Sequence, residues 1–120
     1  MRRASILLFP LVMVVLAIAA GCGKDPNQMT DAELGLNAQQ ARGRHLYNQF
    51  CVTCHPAYSS RGDKGPGLKG LYKKPYLPSG LTTTDEHVIQ SIVQGRGMMP
   101  STPQLSQQDV NDMVAYLHTL

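Results

Sequence analysis

Cys51-Val52-Thr53-Cys54-His55 places two thiols three residues apart with an imidazole directly behind the second. Three chemistries use that spacing: a redox-active dithiol, half of a zinc site, and covalent attachment of haem. A dithiol of the thioredoxin type wants its CxxC at the start of a helix in a βαβ setting, where the helix dipole lowers the thiol pKa. A zinc site wants a second pair of ligands at similar spacing. The other histidines, His45, His87 and His118, are scattered singly, and each reads as surface or satisfied core.

The elements that must position this motif can be read from local signals. A helix is expected from about Ala38 to Phe50, with Asn37 as its cap and Gln40 reaching back in a capping box. It delivers the chain straight into CVTCH, so the motif ends a helix and does not begin one. Gly43 inside it costs about 1 kcal/mol against Ala, which points to close approach of another helix. Tyr47, four residues on, shares that face.

A second helix is expected to begin at Thr83, with Glu86 completing a Thr-x-x-Glu box, and to end at Gly95 in a left-handed cap. Its apolar stripe is Val88, Ile89, Ile92 and Val93. The third is capped by Ser106, with Asp109 in its first turn and Leu105 stapled onto Val110. Val110, Met113, Val114 and Leu117 recur at i, i+3, i+4 and i+7 as one buried face. Tyr116 flanks that face and is expected against the Gly43 notch. Ser59 to Gly80 and Gly95 to Pro103 are dense in Gly and Pro and show no strand alternation. The fold class is therefore all-α, with three main helices and two long Gly/Pro loops.

The N-terminus reads as targeting. Arg2 and Arg3 precede an apolar stretch from Ala4 to Ala20 interrupted only by Ser5 and Pro10, the pattern of a secretory signal. Ala19-Ala20-Gly21-Cys22 resembles the lipobox of bacterial lipoproteins, which implies a signal over residues 1–21 and a lipid on Cys22; Ala19 stands where the family more often has Leu. An uncleaved transmembrane anchor is the alternative, since the stretch, at ~1.5 Å per residue, is near the lower limit for crossing a bilayer. Either way the remainder faces the outside. Residues 22–36 are polar, with Pro and Gly and no apolar period, and read as a tether reaching ~20 Å as a coil and ~50 Å at full stretch.

Removing residues 1–21 from the 120 takes away Arg2 and Arg3 and leaves 9 basic against 8 acidic residues, so the formal +3 is partly a targeting charge. No stripe of Lys and Arg interleaved with aromatics suggests nucleic acid. A local excess of Arg61, Lys64, Lys69, Lys73, Lys74 and Arg96 is ordinary solvated loop or a face toward an acidic partner. With Cys22 lipidated, only Cys51 and Cys54 of the three cysteines remain, and no structural disulfide staples the fold.

That fold is poor in core. It has no Trp and only two Phe, one of them in the signal, so something large and apolar has to be inside. Haem attachment accounts for both observations. The thiols add to the two vinyl groups on one edge of the porphyrin, His55 is held beneath the iron as an axial ligand, and burying the macrocycle supplies roughly 25 cal/mol per Å² removed from water. Export fits, because the thiols must stay outside the reducing cytosol.

From about Asn37 to Leu120 the chain resembles a class I c-type cytochrome. GRHLYNQFCVTCH resembles that family's first helix and haem motif, GPGL (Gly65 to Leu68) the loop after it, GRGMMP the segment carrying the distal methionine, and LSQQDVNDMVAYLHTL the closing helix. The resemblance implies a small cytochrome c fold over residues 37–120 around one covalent haem c. It also implies a Pro66 carbonyl that accepts a hydrogen bond from Nδ1 of His55, and Leu68 lining the haem. Met98 and Met99 are both candidates for the second ligand; Met99 is favoured because the family's ligand directly precedes a Pro, and Pro100 biases its neighbour toward extended backbone. Tyr72, Lys73, Lys74, Tyr76 and Arg96 are candidate propionate partners.

With His55 below and Met99 above, the iron is closed and can change charge without binding substrate. The expected function is a membrane-tethered one-electron carrier working with redox partner proteins outside the cytoplasmic membrane, with no small-molecule substrate. A subunit feeding electrons into a larger oxidoreductase has the same fold, and a gas or redox sensor would need Met99 to dissociate readily.

Overall fold

The computed structural model describes residues 23–120; the expected signal and Cys22 lie outside the described residues. Three α-helices carry the fold: α1 (Ala38–Phe50), α2 (Asp85–Gln94) and α3 (Gln107–Leu117), with short 3-10 turns at Pro26–Gln28 and Leu71–Lys73. Among the described residues there is no β-strand, only isolated bridges at Tyr76 with Thr82 and Arg96 with Met99.

Each helix starts on a side-chain cap. Asn37 accepts from the Gln40 amide while the Gln40 side chain accepts from the Asn37 amide, both at 2.9 Å. Ser106 and Asp109 make the equivalent box for α3. In α2 the cap is Thr84, which accepts from the His87 amide, one residue later than the Thr83 box predicted. The reason lies outside the helix: the Thr83 amide bonds to the Pro75 carbonyl at 3.1 Å and its hydroxyl is buried without a partner, so Thr83 belongs to the incoming loop and its oxygen does not reach the helix end. Gly95 ends α2 with φ +70° but ψ 174°, so its positive φ turns the chain outward into extended backbone and not into the left-handed helical cap expected.

α1 and α3 cross at Gly43. A Cβ built there would collide with the Asp112 carbonyl and lie 2.9 Å from the Tyr116 Cβ, so the helix surrenders propensity to let two backbones touch. Tyr47 and Tyr116 flank the crossing with ring centroids 5.4 Å apart. Arg42 straddles it, its Nε 2.7 Å from the buried Asp112 carboxylate; that hydrogen bond, ahead of all other influences, holds the Asp112 pKa below the ordinary carboxylate value. α2 packs beside α3, and Leu71, Val88, Ile92, Met113, Val114 and Leu117 form the main core. Tyr47, Ala57 and Tyr116 form a second buried cluster.

The segment before α1 is tied down at its C-terminal end. Arg44, only 13% exposed, pairs with Asp31 at 2.8 Å and donates to the Met29 carbonyl at 2.8 Å. Leu36 packs against the tyrosine cluster. Lys24 is also paired, with Glu33 at 2.7 Å, and Asp25 caps the Pro26–Gln28 turn, so the described part of the expected tether is folded back on itself and not extended coil.

Candidate functional site

α1 stops at the motif because the chain tightens there. The Cys51 and Val52 amides both bond to the Tyr47 carbonyl, at 2.8 and 3.1 Å, and the Cys54 and His55 amides both return to Cys51, at 3.1 and 2.9 Å. This compact turn brings Cys51, Cys54 and His55 to one end of the helix. The Gly/Pro loop is then laced onto it by Gly65 N–H to the Cys54 carbonyl (2.8 Å) and Leu68 N–H to the Pro56 carbonyl (2.9 Å). A loop without regular structure thus has a defined position, set by the motif it covers.

That lacing places the Pro66 carbonyl 2.9 Å from Nδ1 of His55. A carbonyl can only accept, so Nδ1 carries the proton and Nε2 keeps its lone pair. An imidazole in that tautomer, fixed in orientation by a backbone acceptor, is arranged as metal-ligating histidines are. A Cβ built on Gly65 would lie 2.7 Å from Nδ1 and 2.8 Å from Nε2, so glycine is needed for the loop to lie flat on the ring. The sequence reading named the GPGL loop but not this contact; the signal was the Gly ahead of the Pro.

Cys51 and Cys54 are both free thiols. Burial first, then the neighbouring Cys54 sulfur, pushes the Cys51 thiol up to about 11. A redox-active CxxC works through a depressed thiol pKa, so this sulfur is poorly suited to dithiol exchange. Among the described residues no group of three or more His, Cys, Asp and Glu side chains converges, and the structural zinc site requires four ligands. His45 and His118 lie on the surface, and His87 bonds locally to the Thr82 carbonyl at 2.8 Å.

The methionine loop is held from both ends. Arg96 and Met99 exchange backbone hydrogen bonds of 3.0 Å in each direction, and Thr102 closes the last carbonyls of α2 through its hydroxyl to Ile92 (2.7 Å) and its amide to Val93 (3.2 Å). Met99 is half-buried against the main core, whereas Met98 is 93% exposed. Cys51, Leu68, Tyr72, Leu77, Ile89 and Met99 all abut that core while keeping part of their surface uncovered. The Cys51 sulfur lies 3.8 Å from the Met113 sulfur. A fringe of half-covered apolar side chains drawn from four segments, with the Met99 thioether and the Cys51 thiol in it, suits a flat apolar guest, and His55 follows Cys51 by four residues in the motif that borders it.

Among the described residues, two buried hydroxyls find no hydrogen-bond partner, Tyr72 Oη and Thr83 Oγ1. A guest bearing carboxylates offers acceptors of the kind they lack. Tyr72 stacks on His118 with centroids 3.7 Å apart, and its hydroxyl lies near Asp85 but outside hydrogen-bond geometry. Burial, then Asp85, raises its pKa. Lys73, Lys74, Tyr76 and Arg96 are exposed.

Residues 38–117 match the family described as cytochrome C oxidase, cbb3-type, subunit III. The chain is 27% identical over 95 residues to cytochrome c2 of Rhodopila globiformis, covering 65% of this chain and 90% of that protein. It is 27% identical over 110 residues to a cytochrome c-553-like protein of Synechocystis sp., covering 90% and 94%. Cytochrome c oxidase subunit 2 of Alkalihalophilus pseudofirmus matches at 27% over 86 residues, which is 66% of this chain but 25% of that protein. With two thirds of its length inside one cytochrome family and an all-helical body of three helices, the chain belongs to the class I c-type cytochromes, haem proteins of electron transfer.

Proposed function

We propose that this cytochrome holds a single haem c through thioethers from Cys51 and Cys54, with His55 and Met99 as axial ligands, and carries one electron at a time between redox proteins outside the cytoplasmic membrane. The observation that carries the reading is the His55–Pro66 bond, with two half-buried thiols just ahead of His55 and a half-buried thioether at Met99. When bound, the haem supplies the one-electron iron couple. His55 presents Nε2 because Pro66 holds the proton on Nδ1. Met99 presents a soft thioether, which with His raises the potential. Met98 is left in solvent. Leu68, Leu77 and Ile89 exclude water from the haem faces, and the Tyr72 and Thr83 hydroxyls would donate to its propionates.

With both axial positions filled by side chains, no site remains for a substrate, which favours carrier over catalyst. Cys22 would carry the lipid that keeps the domain at the membrane, with residues 22–36 as the link between lipid and domain. Exposed Arg61, Lys64, Lys69, Lys73 and Lys74 would meet a partner of acidic surface. The oxidase subunit that matches over a quarter of its length favours a second reading, in which the domain feeds electrons into a larger oxidoreductase as one of its subunits.

A visible spectrum and an intact mass of the exported protein test the first reading. Soret absorption, a mass increment of one haem that survives acid-acetone extraction, and an acyl increment are expected. A mass equal to polypeptide plus acyl groups would refute it. Solubilised membranes run on a sizing column separate the two readings, since a free carrier elutes alone and a subunit elutes with its complex.

A further inference from the structure

We propose that the Tyr47 hydroxyl is a positioning group for the His55 imidazole, acting through the His55 carbonyl; the proposal rests on the haem reading above. Tyr47 is 2% exposed, and its hydroxyl donates to the His55 carbonyl. Its ring already has a task in the helix crossing, against Tyr116. A phenylalanine would serve that crossing equally well, so the hydroxyl is the part left to explain.

The position of His55 explains it. α1 ends at Phe50, so the His55 carbonyl lies beyond the helical ladder and has no partner there. Tyr47 stands one helical turn before Cys51, and the chain doubles back after the helix through the Cys51 hydrogen bonds. The carbonyl is thereby brought onto the tyrosine oxygen. His55 is then fixed at four points: its amide on the Cys51 carbonyl at 2.9 Å, its carbonyl on Tyr47, Nδ1 on the Pro66 carbonyl at 2.9 Å, and its ring face on Gly65. Three of these are backbone contacts of the motif and its covering loop. Tyr47 is the one side chain among them, and it joins the ligand to the α1–α3 crossing.

The hydroxyl is enclosed, since Tyr47 is 2% exposed as a whole. Water cannot replace it in so enclosed a place, and its removal leaves a carbonyl without its partner. The backbone of His55 then has freedom to rotate, and the Nδ1–Pro66 bond opens more often.

The test compares Tyr47→Phe with Tyr116→Phe in the haem-loaded protein. Tyr116 is 1% exposed and its hydroxyl bonds Tyr58 at 3.1 Å, so its loss also removes one buried hydroxyl from the same cluster without touching His55. The readouts are the exchange lifetime of the His55 Nδ1 proton and the haem-methyl hyperfine shifts of the ferric protein, which report the imidazole plane. Tyr47→Phe should shorten the lifetime about tenfold and redistribute the methyl shifts, and Tyr116→Phe should change neither. A Tyr47→Phe protein with the wild-type lifetime and shifts, or a Tyr116→Phe protein that changes as much, overturns the proposal. Should Tyr47→Phe fail to accumulate, 3-fluorotyrosine at position 47 keeps the ring and sharpens the donor; it must give at least the wild-type lifetime, and a shorter one overturns the proposal. A wild type without Soret absorption would instead remove the haem reading, whereas a loaded wild type with an insensitive Tyr47→Phe removes only this one.

Discussion

Replacing Gly43 with Ala sets two effects of known sign against each other. Helix propensity favours the change by about 1 kcal/mol, because Ala is the best helix former and Gly loses the most backbone freedom on ordering. Packing opposes it. The new methyl would sit 2.6 Å from the Asp112 carbonyl carbon and 2.9 Å from the Tyr116 Cβ, with the Asp112 oxygen closer still. These are main-chain and Cβ atoms, which no side-chain rotation can move aside, so α3 must retreat by on the order of 1 Å, at about 3 kcal/mol, the upper end of overpacking costs. The net loss is then about 2 kcal/mol, and for a domain of this size Tm falls by about 8–16 °C.

Thermal unfolding followed by circular dichroism on the haem-loaded protein measures it. Because the obstruction is backbone, Asp112→Ala in the same chain should not restore Tm. A Gly43→Ala protein as stable as wild type, or more so, would show that propensity outweighs the contact and that the α1–α3 crossing is looser than described.

Met99→Ala should open the iron, giving carbon monoxide binding to the reduced protein at neutral pH within mixing time, while Met98→Leu should leave the closed-iron spectrum unchanged; the reverse pattern would exchange the two roles. Tyr47 contributes a pH dependence of definite sign. Its folded pKa of about 12 lies above the ordinary value of 10.0, so the native state keeps the proton that the unfolded chain loses. Its contribution is complete below pH 10 and is lost as pH rises to about 12. In urea titrations over that window the wild type should lose stability more steeply than Tyr47→Phe, and parallel slopes would refute the assignment. Arg44→Ala should release residues 29–36 from α1, so limited proteolysis ahead of Asn37 should quicken several-fold with Tm changed by less than the Gly43 substitution. Cleavage at the wild-type rate would mean that Asp31 and Met29 are not what holds this segment.

Residues that act on their near neighbours were legible without coordinates. CVTCH, the Asn37–Gln40 box, the Ser106 cap, and the Val110, Met113, Val114, Leu117 face each depend on spacings within a turn or two, where backbone geometry allows few arrangements. Even the Gly43 notch and its partner Tyr116 could be anticipated, because a costly glycine in a helix asks for a close neighbour. Where two adjacent residues compete for one role, local signals gave out: Thr83 and Thr84 can both cap α2, and the fold buries the Thr83 hydroxyl while the Thr84 side chain accepts from His87.

What only the tertiary structure decided is how distant segments meet at the motif. Nothing in SSRGDKGPGLKG orders a loop by itself; Gly65 and Leu68 are placed by the carbonyls of Cys54 and Pro56, and Pro66 reaches the imidazole as a result. The two methionines differ by one position in sequence, yet one is half-buried and the other 93% exposed, a separation imposed by the paired hydrogen bonds of Arg96 and Met99. The hydroxyl of Tyr47 reads in sequence as part of a packing ring, and its hold on His55 exists because the chain folds back after α1. Short-range rules write helices and motifs, whereas the bonds that aim His55 join a side chain to a main-chain carbonyl across a fold-back of the chain, and a carbonyl carries no residue-type signal of its own.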